Sequence, residues 1–240
     1  MKNSIEELHH DLLSLLKDID AICKQNNIKY SLFAGTLIGA VRHKGFIPWD
    51  DDADIIFERK EYEKFIKVIP PEFKLFRNPW VPRFTKIDGD GIFIDIFVFD
   101  EISDKLSEQK NQILKLKFIQ GMLKDKITTN KGLVGTTLSA VTFIIGKLFS
   151  TEQKVKWYDT IAQSQNTGKK QNIFSSLDQF KYIGYVLPNT IIKGYKLVDF
   201  EDTQLMIMEG YDQYLSTFYG DYMKLPTEDK RIPEHGNIKK

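Results

Sequence analysis

Asp50, Asp51, Asp52 and Asp54 put four carboxylates within five positions, just after a basic cluster of Arg42, His43 and Lys44 and a Gly35-Thr36 pair. Dense acids next to cations and a glycine turn are the residue types of phosphate and divalent-metal chemistry. Ile55, Ile56 and Phe57 follow, so Asp52-Ala53-Asp54 reads as the start of a strand. Side chains alternate along a strand, which would put Asp52 and Asp54 on one face, their Cα atoms roughly 6–7 Å apart, with Ala53 and Ile55 facing the core. Magnesium takes hard oxygen ligands, commonly one or two carboxylates together with substrate phosphates, and such a pair suits a metal–nucleotide complex.

Further along, Ile92 to Phe99 reads as an apolar strand with Asp95 between Ile94 and Ile96. A carboxylate there is costly to bury unless it is paired, bound to a metal or near solvent. Two readings stand: a third carboxylate of a metal site, or an edge-strand acid paired with Arg or Lys. Gly35-Thr36 has two readings as well. With Thr36 capping a short helix from Leu37 to Val41, the unpaired N–H groups and dipole could hold a phosphate, or this is an ordinary strand-to-helix turn. Arg42 is a candidate phosphate contact because its guanidinium forks onto phosphate oxygens; the alternative is an ion pair with one of the aspartates. Lys44 and Lys86 are weaker candidates of the same kind. Asp50 shares parity with Asp52 and Asp54 and could orient the ligands from behind, whereas Asp51 has opposite parity and reads as structural or solvent-facing. His43 is given no role. Trp49, Tyr219, Tyr222 and Met223 could wall a choline or a base, with core packing as the plainer reading.

The elements that must position these groups can be read around them. Ser4 and Glu7 form a capping box ahead of Ile5, Leu8, Leu12, Leu15, Ile19 and Ile22, whose spacing of three and four predicts an amphipathic helix ending near Asn26-Asn27. Ile28 to Phe33 reads as the first strand, Glu61 to Ile69 as a helix stopped by Pro70-Pro71, and Phe73 to Phe76 and Arg83 to Ile87 as short strands. A helix is predicted from Asp104 to Lys124 with a face of Ile113, Leu114, Leu116, Phe118, Ile119 and Met122, another over 132–146, and a third capped by Ser150 and Gln153. Asn166 to Asn172 reads as a solvent loop, Ile173 to Met208 as short strands and turns, and Tyr211 to Phe218 as a helix closed by Gly220.

Composition narrows the class. At 240 residues the chain can bury one full core with an appendage, and we read one catalytic core carrying a helical addition. With 34 basic and 33 acidic residues there is no global basic field for nucleic acid. The single cysteine, Cys23, excludes an internal disulfide framework and a cysteine-rich zinc site. The first residues lack the apolar stretch of a secretory signal, so a cytoplasmic location is expected. Gly132 to Gly146 carries no charge but is shorter than the ~20 apolar residues of a spanning helix, and it reads as a buried or interfacial helix.

Gly35 to Asp54, GTLIGAVRHKGFIPWDDDAD, resembles the signature of the LicD family, which includes the fukutin-related transferases. Ile94-Asp95-Ile96-Phe97 with Asp100 is similar to that family's second acidic strand, and Tyr214-Leu215 followed by Tyr219 to Pro226 to its C-terminal signature. The resemblance implies an α+β, nucleotidyltransferase-like core with a mixed sheet flanked by helices and a helical insertion after the second acidic strand. Residues 1–102 would be the core, 103–170 the helical region, and 171–240 a C-terminal region packing back on the core. It further implies transfer of an alcohol phosphate, such as phosphocholine or ribitol phosphate, from a CDP-linked donor to a hydroxyl of a cell-surface glycan or its lipid-linked precursor, with release of CMP.

On that resemblance Asp52 and Asp54 would ligate Mg2+, or Mn2+ in its place, Asp95 would be ligand or general base, and Gly35 and Thr36 would line the phosphate turn. The chain lacks the cysteines with which some relatives bind zinc, and His235 stands alone where relatives carry more than one histidine. If the acceptor is lipid-linked, residues 132–146 could dock the protein at the inner membrane face. Two other classes remain: a nucleotidyltransferase releasing pyrophosphate, and a catalytically silent nucleotide- or glycan-binding protein.

Overall fold

The computed structural model describes residues 4–78, 80–130 and 132–233; His235 and the Lys239-Lys240 end lie outside them. In chain order the elements are α1 (Ile5–Gln25), β1 (Ser31–Leu32), α2 (Ala34–His43), β2 (Asp54–Glu58), α3 (Arg59–Val68), β3 (Phe73–Asn78), β4 (Val81–Lys86) and β5 (Ile94–Ile102). Three helices follow, α4 (Leu106–Met122), α5 (Gly132–Gly146) and α6 (Thr151–Ala162). The chain then forms β6 (Asn172–Ser175), β7 (Val186–Pro188), β8 (Tyr195–Phe200), β9 (Thr203–Met208) and α7 (Tyr211–Tyr219). The architecture is α+β, in two compact units: the described residues among 1–77, 82–98 and 190–240 form the first, and those among 78–81 and 99–189 the second.

In the first unit the sheet runs β1-β2-β5-β4-β3. β1 pairs antiparallel with β2 in the register Leu32↔Ile55, and β4 pairs antiparallel with β5 in the register Arg83↔Asp95. Its core is aromatic: Phe57 stacks on Phe65 at 5.0 Å, and Phe73 stacks on Phe84 at 4.8 Å. α1 has the predicted stripe, with Leu8, Leu12, Leu15, Ile19 and Ile22 all buried, and the Ser4 hydroxyl accepts from the Glu7 N–H at 3.2 Å. The hairpin β8-β9 is tied to β1 by the Met208 N–H donating to Ser31 Oγ at 2.9 Å.

Several boundaries differ from expectation for physical reasons. The first strand shrinks from Ile28–Phe33 to two residues, because the Ile28 N–H is held by the Cys23 carbonyl (2.8 Å) and the Lys29 N–H by the Glu61 carboxylate (3.0 Å) instead of a ladder. α2 starts at Ala34 instead of Leu37 and has no side-chain cap, so Thr36 lies inside the first turn. β2 begins at Asp54, leaving Asp52 and Ala53 in the segment leading into it.

In the second unit β6 pairs antiparallel with the end of β5 (Asp100↔Phe174) and with β7 (Ile173↔Leu187). α6 begins with the capping box of Ser150 and Gln153. α4 buries Leu116, Ile119 and Met122, whereas Leu114 and Phe118, expected on the same face, are exposed. Small residues let α5 pack closely on α4. A Cβ on Gly121 would lie 2.6 Å from Thr142 Oγ1, and one on Gly146 would overlap the Met122 carbonyl. The buried Lys154 ammonium donates to the carbonyls of Gly146 (3.1 Å) and Met122 (3.3 Å), satisfying acceptors at two helix C-termini. The loop expected to be solvated at 166–172 is instead anchored: the N–H groups of Gly168 (2.7 Å) and Lys170 (3.1 Å) donate to the Glu101 carboxylate.

Two outcomes follow from the second unit. Lys154→Met strands two buried carbonyls and should lower stability by about 1–3 kcal/mol in urea denaturation; an unchanged midpoint would contradict the assignment. Asp178 is buried, and desolvation pushes its carboxyl up from 3.8 to about 7. Its contribution to stability is therefore present below the unfolded value near 3.8 and is lost as pH rises toward about 7. Asp178→Asn should flatten stability against pH across that window, and a slope equal to that of the wild type would contradict it.

Candidate active site

The site is built at the head of α2. Ala34 sits at φ +44°, a left-handed conformation uncommon for a residue with a Cβ, and turns the chain abruptly from β1 into the helix. This puts Thr36 against the acidic segment, where its Oγ1 accepts the Asp54 N–H at 2.9 Å. On the other side of Asp54, its carbonyl accepts the Phe33 N–H at 3.0 Å. The first residue of β2 is thus clamped by both backbone groups to the strand–helix junction before it.

Asp95 approaches from the neighbouring strand. Its N–H donates to the carbonyl of Ala53 at 3.0 Å, so its backbone lies beside the residue between Asp52 and Asp54. The carboxylate accepts from Arg83 Nε at 2.8 Å, directly opposite on β4, and the Arg83 guanidinium lies 3.9 Å over the Phe93 ring. Burial separates the acids: Asp51 and Asp54 are buried, Asp50, Asp52 and Asp95 half-buried. Asp54, the first residue of β2, is thus set deeper than Asp52 just before the strand, and Asp51 is buried rather than solvent-facing.

Asp50 occupies the place expected for an anion. A Cβ on Gly35 would lie 2.5 Å from Asp50 Oδ2, so this carboxylate rests against the first turn of α2, where the helix dipole favours negative charge. His9 of α1 donates from Nε2 to the Asp50 carbonyl at 2.7 Å and stacks on Phe46 at 4.5 Å. Glu201 braces the loop from the β8–β9 turn, accepting the Phe46 N–H at 2.9 Å. His9 and Glu201 carried no signal in the sequence as site residues.

Of the predicted basic contacts, Arg42 donates to the carbonyls of Tyr222 (2.6 Å) and Lys224 (3.3 Å), pinning the C-terminal signature to the end of α2. Burial, and after it the Arg42 charge, lower the His43 pKa below its ordinary value. Lys44 is exposed as the left-handed cap of α2. Lys86 pairs with Asp18 of α1 at 2.9 Å, its side chain committed to that helix. Tyr222 is buried and donates to Asp212 at 2.6 Å, while Tyr219 and Met223 are exposed. Thr36 with Asp54, Gly35 with Asp50, and Asp95 with Ala53 are thus brought together around the start of β2, with Asp52 on the segment between Asp50 and Asp54.

The donor set is of hard carboxylate oxygens, the right kind for magnesium or manganese. Among the described residues no three His, Cys, Asp or Glu side chains gather into a metal cage, and Asp95 leans on Arg83. An ion here would be held by the Asp52–Asp54 pair and complete its shell with substrate oxygens, as magnesium commonly does.

The family match includes this region. Residues 27–118 match the family described as LicD/FKTN/FKRP, nucleotidyltransferase domain. Over 98% of this chain and 97% of the relative's, the sequence is 32% identical to the lipopolysaccharide cholinephosphotransferase LicD of Haemophilus influenzae. An uncharacterised protein of Rickettsia typhi is 38% identical over 39% of this chain and 30% of its own, and one of Rickettsia prowazekii 46% identical over 26% and 23%. The chain belongs to the LicD family. It is an enzyme of that family, a transferase.

If the clamp on Asp54 organises the site, Thr36→Val should leave a buried N–H without its acceptor and cost about 1–3 kcal/mol. Thr36→Ser, which keeps the hydroxyl, should restore most of it. Urea denaturation of the three proteins checks this, and equal stability of the Val variant would remove the clamp from the account.

Proposed function

We propose that the protein moves an alcohol phosphate, phosphocholine first among the candidates, from a CDP-linked donor to a hydroxyl of a cell-surface glycan or its lipid-linked precursor, releasing CMP. The choline and the lipopolysaccharide acceptor are carried over from the full-length relative, and the CDP-linked donor from the family resemblance. Within the molecule, the supporting observation is the Asp95 N–H bond to the Ala53 carbonyl at 3.0 Å, which sets the third acid beside the Asp52–Asp54 pair. We read the core as nucleotidyltransferase-like on the same grounds.

Transfer requires the acceptor hydroxyl to attack, in line, the phosphorus that bears the choline. One O–P bond forms, the bridging P–O bond to CMP breaks, and the hydroxyl proton passes to the departing phosphate directly or through a carboxylate. Asp52 and Asp54 would hold Mg2+, or Mn2+, which neutralises diphosphate charge. Asp95 accepts from Arg83 Nε through Oδ1, and this fixed orientation suits a ligand or positioning role. Asp50 stabilises the head of α2, and Arg42 holds the Tyr222–Lys224 segment against the helix that carries Thr36.

The experiment is calorimetric binding of CDP-choline, CDP-ribitol, CDP-glycerol and CTP, each with and without magnesium, to wild type and Asp52→Asn. The expected result is magnesium-dependent binding of one CDP-alcohol, weakened at least ~100-fold in the variant by loss of a charged ligand. Binding of CTP alone would move nucleotidyl transfer ahead, and equal binding by the variant would contradict the assigned role of Asp52.

A further inference from the structure

α5 is built inside out for a helix in water. It turns Ser139, Thr142 and Gly146 inward against α4, and presents Leu133, Val134, Leu138, Val141 and Ile144 to solvent. Leu133 is 87% exposed, Val134 82% and Ile144 63%; Leu148, just beyond the helix, is 76% exposed. At 100° per residue these side chains and Thr137 cover an arc of about 140°, on a helix with no charged residue. The inward hydroxyls are satisfied: Ser139 Oγ accepts the Thr128 N–H at 2.8 Å and Thr142 Oγ1 donates to the Leu138 carbonyl at 3.0 Å. The inversion is therefore seated by specific bonds, and the outward face is a continuous apolar patch of the kind that marks an interaction site.

Charge says what covers it. Residues 105–156 hold ten lysines and three acids, a net of +7 in a chain whose total is +1, so the rest carries −6. Exposed Lys126 precedes α5 and exposed Lys147 follows it, with Trp157 of α6 part-exposed against Phe149 at 4.8 Å. An apolar face rimmed by lysines, with an aromatic at its margin, matches a helix lying in the headgroup layer of an anionic bilayer. A second copy fits less well, since a two-fold contact would set the same +7 region against itself. Spanning is excluded for α5 by length, since its 15 residues reach about 22 Å against a core of ~30 Å. With α6 it forms a pair whose axes bend by 114°, which by length and composition fits a broken span or re-entrant loop but not one straight span. Among the described residues no single helix is long and apolar enough to cross a membrane.

We infer that the α5 face docks the second unit peripherally onto an anionic lipid surface. The inference deepens the proposed transfer to a lipid-linked glycan and rests on that reading for its purpose, but its evidence is separate. The test is flotation of the full-length protein with vesicles of phosphatidylcholine alone or mixed with phosphatidylglycerol, at low and high salt. Wild type should float with the mixed vesicles, less with phosphatidylcholine alone, and less as salt screens the lysines.

Leu138→Asp with Ile144→Asp should reduce partitioning at least about tenfold with an unchanged circular dichroism spectrum. Leu133→Asp with Val134→Asp provides a second pair at the first turn, where acids suit the helix dipole and folding is preserved. Wild type that stays unbound to both vesicles, or variants that float as well as wild type, would overturn the docking. So would a dimer in analytical ultracentrifugation that the same substitutions dissolve. A protein that floats but binds no CDP-alcohol fails the transfer reading alone; one that binds the donor and never floats fails the docking alone.

Discussion

The bond from the Asp54 N–H to the Thr36 hydroxyl, 2.9 Å long and buried, joins the head of α2 to the first residue of β2. Most of the acidic site depends on it. Asp54 can be buried at the start of a strand because both its backbone groups are spoken for, one by Thr36 and the other by Phe33. With Asp54 fixed at the start of β2, the Ala53 carbonyl just before it accepts the Asp95 N–H. The left-handed turn at Ala34 is the strain this geometry carries, since without it Thr36 would not lie alongside β2. Around the clamp, α1 supplies His9 under Asp50, the β8–β9 turn supplies Glu201 under Phe46, and Arg42 gathers the chain at Tyr222 and Lys224. Three regions distant in sequence thus hold a loop of acids that would otherwise repel one another.

The parts of this arrangement that were legible beforehand are those with local causes. α1 could be read because its apolar residues recur at three and four and Ser4 caps it, and α6 because Ser150 and Gln153 form a reciprocal box. The bounds of α5 could be read from its glycines and lack of charge. Where expectation and structure part, the deciding partner lies far along the chain. Lys29 leaves the first strand because Glu61, 32 positions away, takes its N–H. Arg42 is drawn to carbonyls 180 and 182 positions away, and His9 and Glu201 reach the site from helix and hairpin positions indistinguishable from solvated ones.

Asp95 was readable as an anomaly, a carboxylate inside an apolar strand, with two explanations. The ion pair with Arg83 realises the pairing but not the edge position, since β5 lies between β2 and β4, while the backbone bond to Ala53 keeps Asp95 beside the other acids. The pairing and the place beside the acids are thus compatible in one residue. In the second unit, composition alone gave α5 as a buried or interfacial helix; the side facing α4 became clear only from the close approach at Gly121 and Gly146.

The central claim is that Asp52 and Asp54 together hold a divalent ion with the donor's phosphates. It is tested most directly by electron paramagnetic resonance of Mn2+ titrated into the protein with CDP-choline, for wild type, Asp52→Asn and Asp54→Asn. The account predicts a protein-bound Mn2+ signal that requires the nucleotide in wild type and disappears in both variants while their circular dichroism is unchanged. An equally populated bound-ion signal in either variant would contradict it.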